Sequence, residues 1–194
     1  MYNVFLSRNV LVRISVLWIV GFICMMISWG VSYRALPEGV FHGKVIVSYV
    51  RLVTEDLLST FSRIFTYNLL LACTPLIISN LIKLRTLPLG YILIPYHWSI
   101  YGILLGTNSF AFPGPTRLIP TLEILFWGTG MYEITAYTLM VASTYSLSLI
   151  WTERTSKQRR QILLREEKIA LGGSILLLVL ANFFEACQII GHSS

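Results

Sequence analysis

Glu133 and Glu185 are the residues whose chemistry most needs explaining. Glu133 lies in "GTGMYEITAYTLMVAS" and Glu185 in "ANFFEAC", and both stretches are otherwise apolar or small. A carboxyl group in hydrocarbon is expensive, so it pairs with other polar groups, faces water or serves a site. Asn68, Asn182 and Tyr101 supply further polar groups in comparably apolar surroundings. Two neighbouring carboxyls in low dielectric keep at least one proton between them, because desolvation and like charge both oppose full ionisation. Carboxamides and a phenol can hydrogen-bond to either form. Such a cluster would tie helices together, or hold an ion or substrate.

Familiar catalytic arrangements are absent from the sequence. Asp56 is the only aspartate, so an intramembrane aspartate pair is excluded. His42, His97 and His192 are scattered, with no H-E-x-x-H spacing, and there is no G-x-S-x-G, P-loop or G-x-G-x-x-G. His97 reads as a hydrogen-bonded packing residue. Cys24, Cys73 and Cys187 sit in apolar runs and read as small hydrophobes. We expect no catalytic residue, no metal and no cofactor. The acidic and amide residues must therefore be understood through the helices that carry them.

Those helices belong in a membrane. Of 194 residues 55% are hydrophobic and 12% charged, with mean hydropathy +0.70; soluble domains carry about twice that share of charge. The expected architecture is an all-α, polytopic integral membrane bundle forming a single domain. About five transmembrane helices are expected, at 10–31, 64–82, 87–106, 120–151 and 169–190. The region 120–151 exceeds one crossing, and Gly128 and Gly130 mark it as broken or re-entrant. Pro75 reads as a tolerated kink. Gly102 and Gly106, a G-x-x-x-G pair, allow close helix packing. Between Lys44 and Ile64, apolar and polar residues alternate with helical period, with Arg51 and Glu55 four apart. This predicts an amphipathic helix over 44–63 lying at the extracytoplasmic interface.

Basic residues set the orientation. Arg8 and Arg13, Lys83 and Arg85, and the loop "TERTSKQRRQILLREEK" with Arg154, Lys157, Arg159, Arg160, Arg165 and Lys168 all fall on one side of a five-span arrangement. The positive-inside rule makes that side cytoplasmic, with the N-terminus inside and the C-terminus outside. Arg154, Lys157, Arg159 and Arg160 are also placed to meet anionic lipid headgroups. The loop lacks interleaved aromatics and any recognisable nucleic-acid module, so no nucleic-acid partner is expected. In this topology Asn68, Tyr101, Glu133, Asn182 and Glu185 fall at similar depth, in the outer third of the bundle.

The same residues carry a resemblance. "FTYNLLLA" with Asn68, "YGILLG" with Gly102 and Gly106, "TGMYEITA" with Gly130, Glu133 and Ala136, and "ANFFEAC" with Glu185 occur in that order. This set resembles the stage II sporulation protein M family of small multi-span membrane proteins, over residues 60–190. Thr129 stands where that family often has His, and Tyr101 where it often has Asn. The resemblance implies a non-enzymatic cell-envelope component whose partners are the bilayer and other membrane proteins or copies of itself. The family's namesake works in engulfment, in a membrane complex with cell-wall hydrolases. The competing expectation is a transporter or permease subunit with an ATPase partner, using Glu133 and Glu185 as an ion or substrate site. An unfamiliar intramembrane enzyme is the third.

Overall fold

The computed structural model describes residues 7–42, 56–85, 87–110, 117–147, 150–151 and 163–193. These form six helices: α1 (Val10–Ala35), α2 (Leu57–Asn80), α3 (Gly90–Thr107), α4 (Leu122–Trp127), α5 (Gly130–Ser143) and α6 (Arg165–Ser193). Three of them, α1, α2 and α6, are long and apolar enough to cross a membrane. The 26 residues of α1 span roughly 39 Å, more than the hydrocarbon core of a bilayer.

Helix α1 shows how such a helix is built. Leu17, Gly21, Met25 and Trp29, four residues apart, are buried, while Ile19, Ile23, Ile27 and Val31 form an equally apolar outward stripe. In water that outward stripe would be polar; here both faces are apolar, as lipid requires. The principal partner of α1 is α3, and glycines set how closely they meet. A methyl group on Gly102 would run into the Met25 carbonyl, and one on Gly106 into the Ser32 hydroxyl and Trp29 carbonyl. Gly21 in turn makes room for the indole of Trp98. Trp98 meets Trp18 edge-on and donates to the Thr138 hydroxyl at 2.9 Å, joining α1 and α3 to α5.

Helix α5 is the innermost element, with Met131, Ile134, Ala136, Tyr137, Thr138, Met140, Val141, Ala142 and Ser143 all buried. Helices α1, α2, α3 and α6 surround it, and α2 also packs against α3 and α6.

Several boundaries differ from the sequence-based expectation. The third helix starts at Gly90 rather than residue 87, because Leu87–Pro88 forms a strand, β2, antiparallel to β1 (Ile82–Leu84). The fourth region does not stay helical to 151: α5 ends at Ser143, and Ile150–Trp151 forms β3, parallel to β1. Runs of two and three residues fall below the length at which alternation can be read, so this small sheet left no signal. Arg85, at φ 59°, turns the chain between β1 and β2.

The amphipathic prediction over 44–63 also changes. Its residues 44–55 lie outside the described residues, as does the Arg51–Glu55 spacing. From Leu57 onward it is no separate interfacial helix but the first turns of α2. Asp56 caps those turns, accepting from the Ser59 amide at 2.7 Å. Pro75 does not act through a simple kink. The backbone widens to a π-helix over Asn68–Cys73, and the Thr74 amide bonds back to the Leu69 carbonyl. A proline cannot donate to the preceding turn and clashes with its carbonyl, and the added width absorbs both.

Candidate functional site

The π-helical turn begins at Asn68, and there α2 meets α5 and α6. The Asn68 Nδ2 donates to Glu133 Oε1 at 2.9 Å and to Asn182 Oδ1 at 2.7 Å. Glu185 of α6 is an electrostatic neighbour of Glu133. Three helices therefore meet in one connected network, α2 through Asn68, α5 through Glu133 and α6 through Asn182. Glu133 lies in the first turn of α5, where the partial positive charge of a helix N-terminus favours an acidic group. The turn is set by the break at Gly128–Thr129, which separates α4 from α5. Asn182 and Glu185, three residues apart on α6, share a face.

Tyr101 reaches the same place from α3. Its phenol occupies the space a side chain on Gly130 would need, and it is an electrostatic neighbour of both carboxyls. The structure thus brings together all five residues of the expected polar cluster, with Asn68, Glu133 and Asn182 hydrogen-bonded and Glu185 and Tyr101 beside them. Asn182 is fully buried, whereas Asn68, Glu133 and Glu185 are only half-buried. The Nδ2 of Asn182 has no hydrogen-bond partner among the described residues.

Two neighbours of the cluster escaped sequence reasoning. Tyr137 lies beside Glu133 and Glu185, and Cys73 beside Glu133. Tyr137 could have been found, since it follows Glu133 by four residues on a helix. Cys73, on another helix, could not.

A second polar centre, at the end of the bundle holding the N-termini of α1 and α3, was also missed. Arg13 and Glu167 form an ion pair at 2.6 Å with both side chains 1% exposed. Arg13 also donates to the carbonyls of Ala142, Ser7 and Arg8. Glu167 accepts from the Ser146 hydroxyl at 3.0 Å and the Leu164 amide at 3.1 Å, capping the start of α6. The ring of Tyr145 lies between Arg13 and Lys83, at 4.7 and 4.1 Å. Arg13 and Lys83, read in the sequence as charges that set the orientation, are buried. Their positions in the sequence look like topology signals, and only the fold brings Glu167 to meet Arg13. Burial, the largest influence, pushes the Lys83 amine down to about 8; Glu167 opposes that shift and Arg13 adds to it.

The other expected residues are quickly placed. Gly102, Gly106 and Gly130 lie at close helix contacts, as described. His97 Nδ1 lies 3.0 Å from the Leu93 carbonyl, in the packing role expected for it. Arg154, Lys157, Arg159 and Arg160 lie outside the described residues. Arg117, which drew no attention in the sequence, donates to the carbonyls of Gly106, Ser32 and Leu36. It thereby caps the C-terminal ends of α1 and α3, where a cation is favoured.

In comparisons with known proteins, no family model matches the chain, and no curated protein or solved structure matches it either.

Proposed function

We propose that this chain is a multi-pass protein of the cell membrane that acts by assembling with other membrane proteins, as its resemblance to the stage II sporulation protein M family implies, and not by catalysis. The observation that carries this reading is how the polar groups are used. Asn68, Glu133 and Asn182 join α2 to α5 and α6, and Arg13–Glu167 joins α1 to α6. Large apolar side chains are left facing outward, notably Leu176, Leu180 and Phe184 on α6. In this reading the chain crosses the bilayer five times, through α1, α2, α3, the broken α4–α5 pair and α6. Its N-terminus is cytoplasmic and its C-terminus extracytoplasmic.

Two measurements test it. With Cys24, Cys73 and Cys187 replaced, Pro37→Cys should react with an impermeant thiol reagent from outside, and Arg85→Cys only after permeabilisation. The opposite pattern overturns the orientation. A photoreactive residue at Leu176 or Phe184 should give a protein adduct of discrete mass in cells; adducts with lipid alone at both positions would count against assembly.

The transporter-subunit reading is favoured by one specific observation, the unpartnered and fully buried Nδ2 of Asn182 beside two carboxyls. In that reading a broken helix and a π-turn frame an ion or substrate site.

A further inference from the structure

Helix α3 carries polar groups on the face it turns away from the bundle. Ile94, Trp98 and Gly102 are buried against its neighbours, while Ile92, Tyr96 and Ile100 face outward. Tyr96 is 60% exposed, and His97 lies at the edge of the same stripe, half-buried. The 18 residues of α3 span roughly 27 Å, and Tyr96 and His97 stand about a third of the way along. In a helix that crosses the bilayer, that depth lies within the hydrocarbon. Ile23 and Ile27 of α1 and Leu176 and Leu180 of α6, exposed in the middle of their helices, are by contrast purely apolar.

Both side chains have hydrogen-bonding capacity to spare. The Leu93 carbonyl, 3.0 Å from His97 Nδ1, can only accept, so Nδ1 carries the hydrogen. The neutral ring then presents Nε2 as an acceptor. The Tyr96 ring meets the imidazole edge-on, with 6.1 Å between centroids. Neither the Tyr96 hydroxyl nor His97 Nε2 has a hydrogen-bond partner among the described residues. Lipid tails offer no donor and no acceptor, so a polar group facing them is left unsatisfied.

The spare groups complement each other. A hydroxyl donor and an imidazole acceptor occupy consecutive residues, about 1.5 Å apart in depth. Two copies inserted in the same orientation and related by a twofold axis along the membrane normal bring residues of equal depth together. About such an axis each Tyr96 meets the other copy's His97, and one contact satisfies four groups. Ile92 and Ile100 supply apolar contact on either side. A different protein would need its own matching pair at this depth, whereas a second copy brings it by symmetry.

We propose that this face of α3 docks a second copy of the chain, with each Tyr96 hydroxyl donating to the other copy's His97 Nε2. The proposal rests on the assembly reading, with α3 crossing the bilayer, and names the partner at one face.

The test starts from the chain with Cys24, Cys73 and Cys187 replaced, oxidised in native membranes. Ile92→Cys and Ile100→Cys should each give a disulfide-linked species of twice the chain's mass, and Leu180→Cys on α6 should not. Dimerisation is then measured by energy transfer between dye-labelled chains diluted into phosphatidylcholine vesicles. Tyr96→Phe and His97→Ala should each weaken it roughly tenfold, for two equivalent bonds of the strength measured between membrane helices. The double variant should be no weaker than either single one, since all remove the same bonds. A chain that stays monomeric in vesicles overturns the proposal, as does linking through Leu180→Cys alone. Unchanged dimerisation in both single variants, or additive losses in the double one, overturns it as well. Thiol linking from α3 and photoadducts from α6 read different faces, so this pairing and the assembly reading can fail separately.

Discussion

The Arg13–Glu167 pair and the Glu133–Glu185 pair both join helices through side chains distant in sequence, but they solve the cost of burial differently. The first balances opposite charges: the guanidinium is held by three backbone carbonyls as well as its carboxylate, and Glu167 also accepts from Ser146 and Leu164. The second gathers two carboxyls where Asn68 donates to both Glu133 and Asn182, and leaves the Asn182 Nδ2 short of a partner. The ion pair is nearly sealed from solvent, while the carboxyl pair is half-buried. A saturated and sealed network is suited to holding a structure. An unsaturated and partly open one is suited to exchange.

The sharpest way to break this comparison is to cut each pair. Arg13→Ala or Glu167→Ala leaves an uncompensated buried charge and should cost about 3–5 kcal/mol, read as a large drop in melting temperature in detergent. Replacing both, as Arg13→Met with Glu167→Leu, should recover most of it. If the single variants melt like the wild type, the pair is not structural.

The α1–α3 seam runs between the two layers and offers a control free of polar chemistry. Gly102→Leu forces a side chain onto the Met25 backbone and should destabilise by about 1–3 kcal/mol. Gly30→Leu, on the same seam's partner helix but with open space around it, should be nearly silent. Equal effects would mean that close approach is not what these glycines provide.

At the carboxyl layer the expected effect on stability is smaller. Glu133→Gln keeps the shape and most hydrogen bonds, and should cost under about 1 kcal/mol, in line with measured interhelical hydrogen bonds in membranes. Glu133→Leu removes them and should cost more. If Glu133→Gln proves as damaging to stability as Arg13→Ala, the proposed division between a structural and an exchangeable layer fails.

The smallest effect is expected at Lys83. Its amine titrates near 8 in the folded protein, against 10.5 ordinarily. Between those values the unfolded chain binds a proton that the folded one does not, so stability should rise with pH across that window. Melting temperatures taken from pH 8 to 10.5 should climb in the wild type, and Lys83→Met should flatten the climb. An unchanged slope would show that Lys83 is not the group responsible.

Much of this molecule was legible without its fold. Long apolar runs with few charges dictate helices that bury backbone polar groups within themselves, so helices over 10–31, 64–82 and 169–190 could be read from composition and length, although α2 begins already at Leu57. The convergence of Asn68, Tyr101, Glu133, Asn182 and Glu185 followed from counting depth along antiparallel helices, because a helix rises by a fixed amount per residue. Tertiary structure decided what such counting leaves open, namely which side chain faces which. Rotation about a helix axis is set by packing, here by Gly102 and Gly106 against α1 and by the π-turn at Asn68. The same packing brought Glu167 to Arg13 across 154 residues of chain. A basic residue near a helix end reads alike in sequence whether it lies in water or in a buried pair, and only the neighbour delivered by the fold distinguishes them.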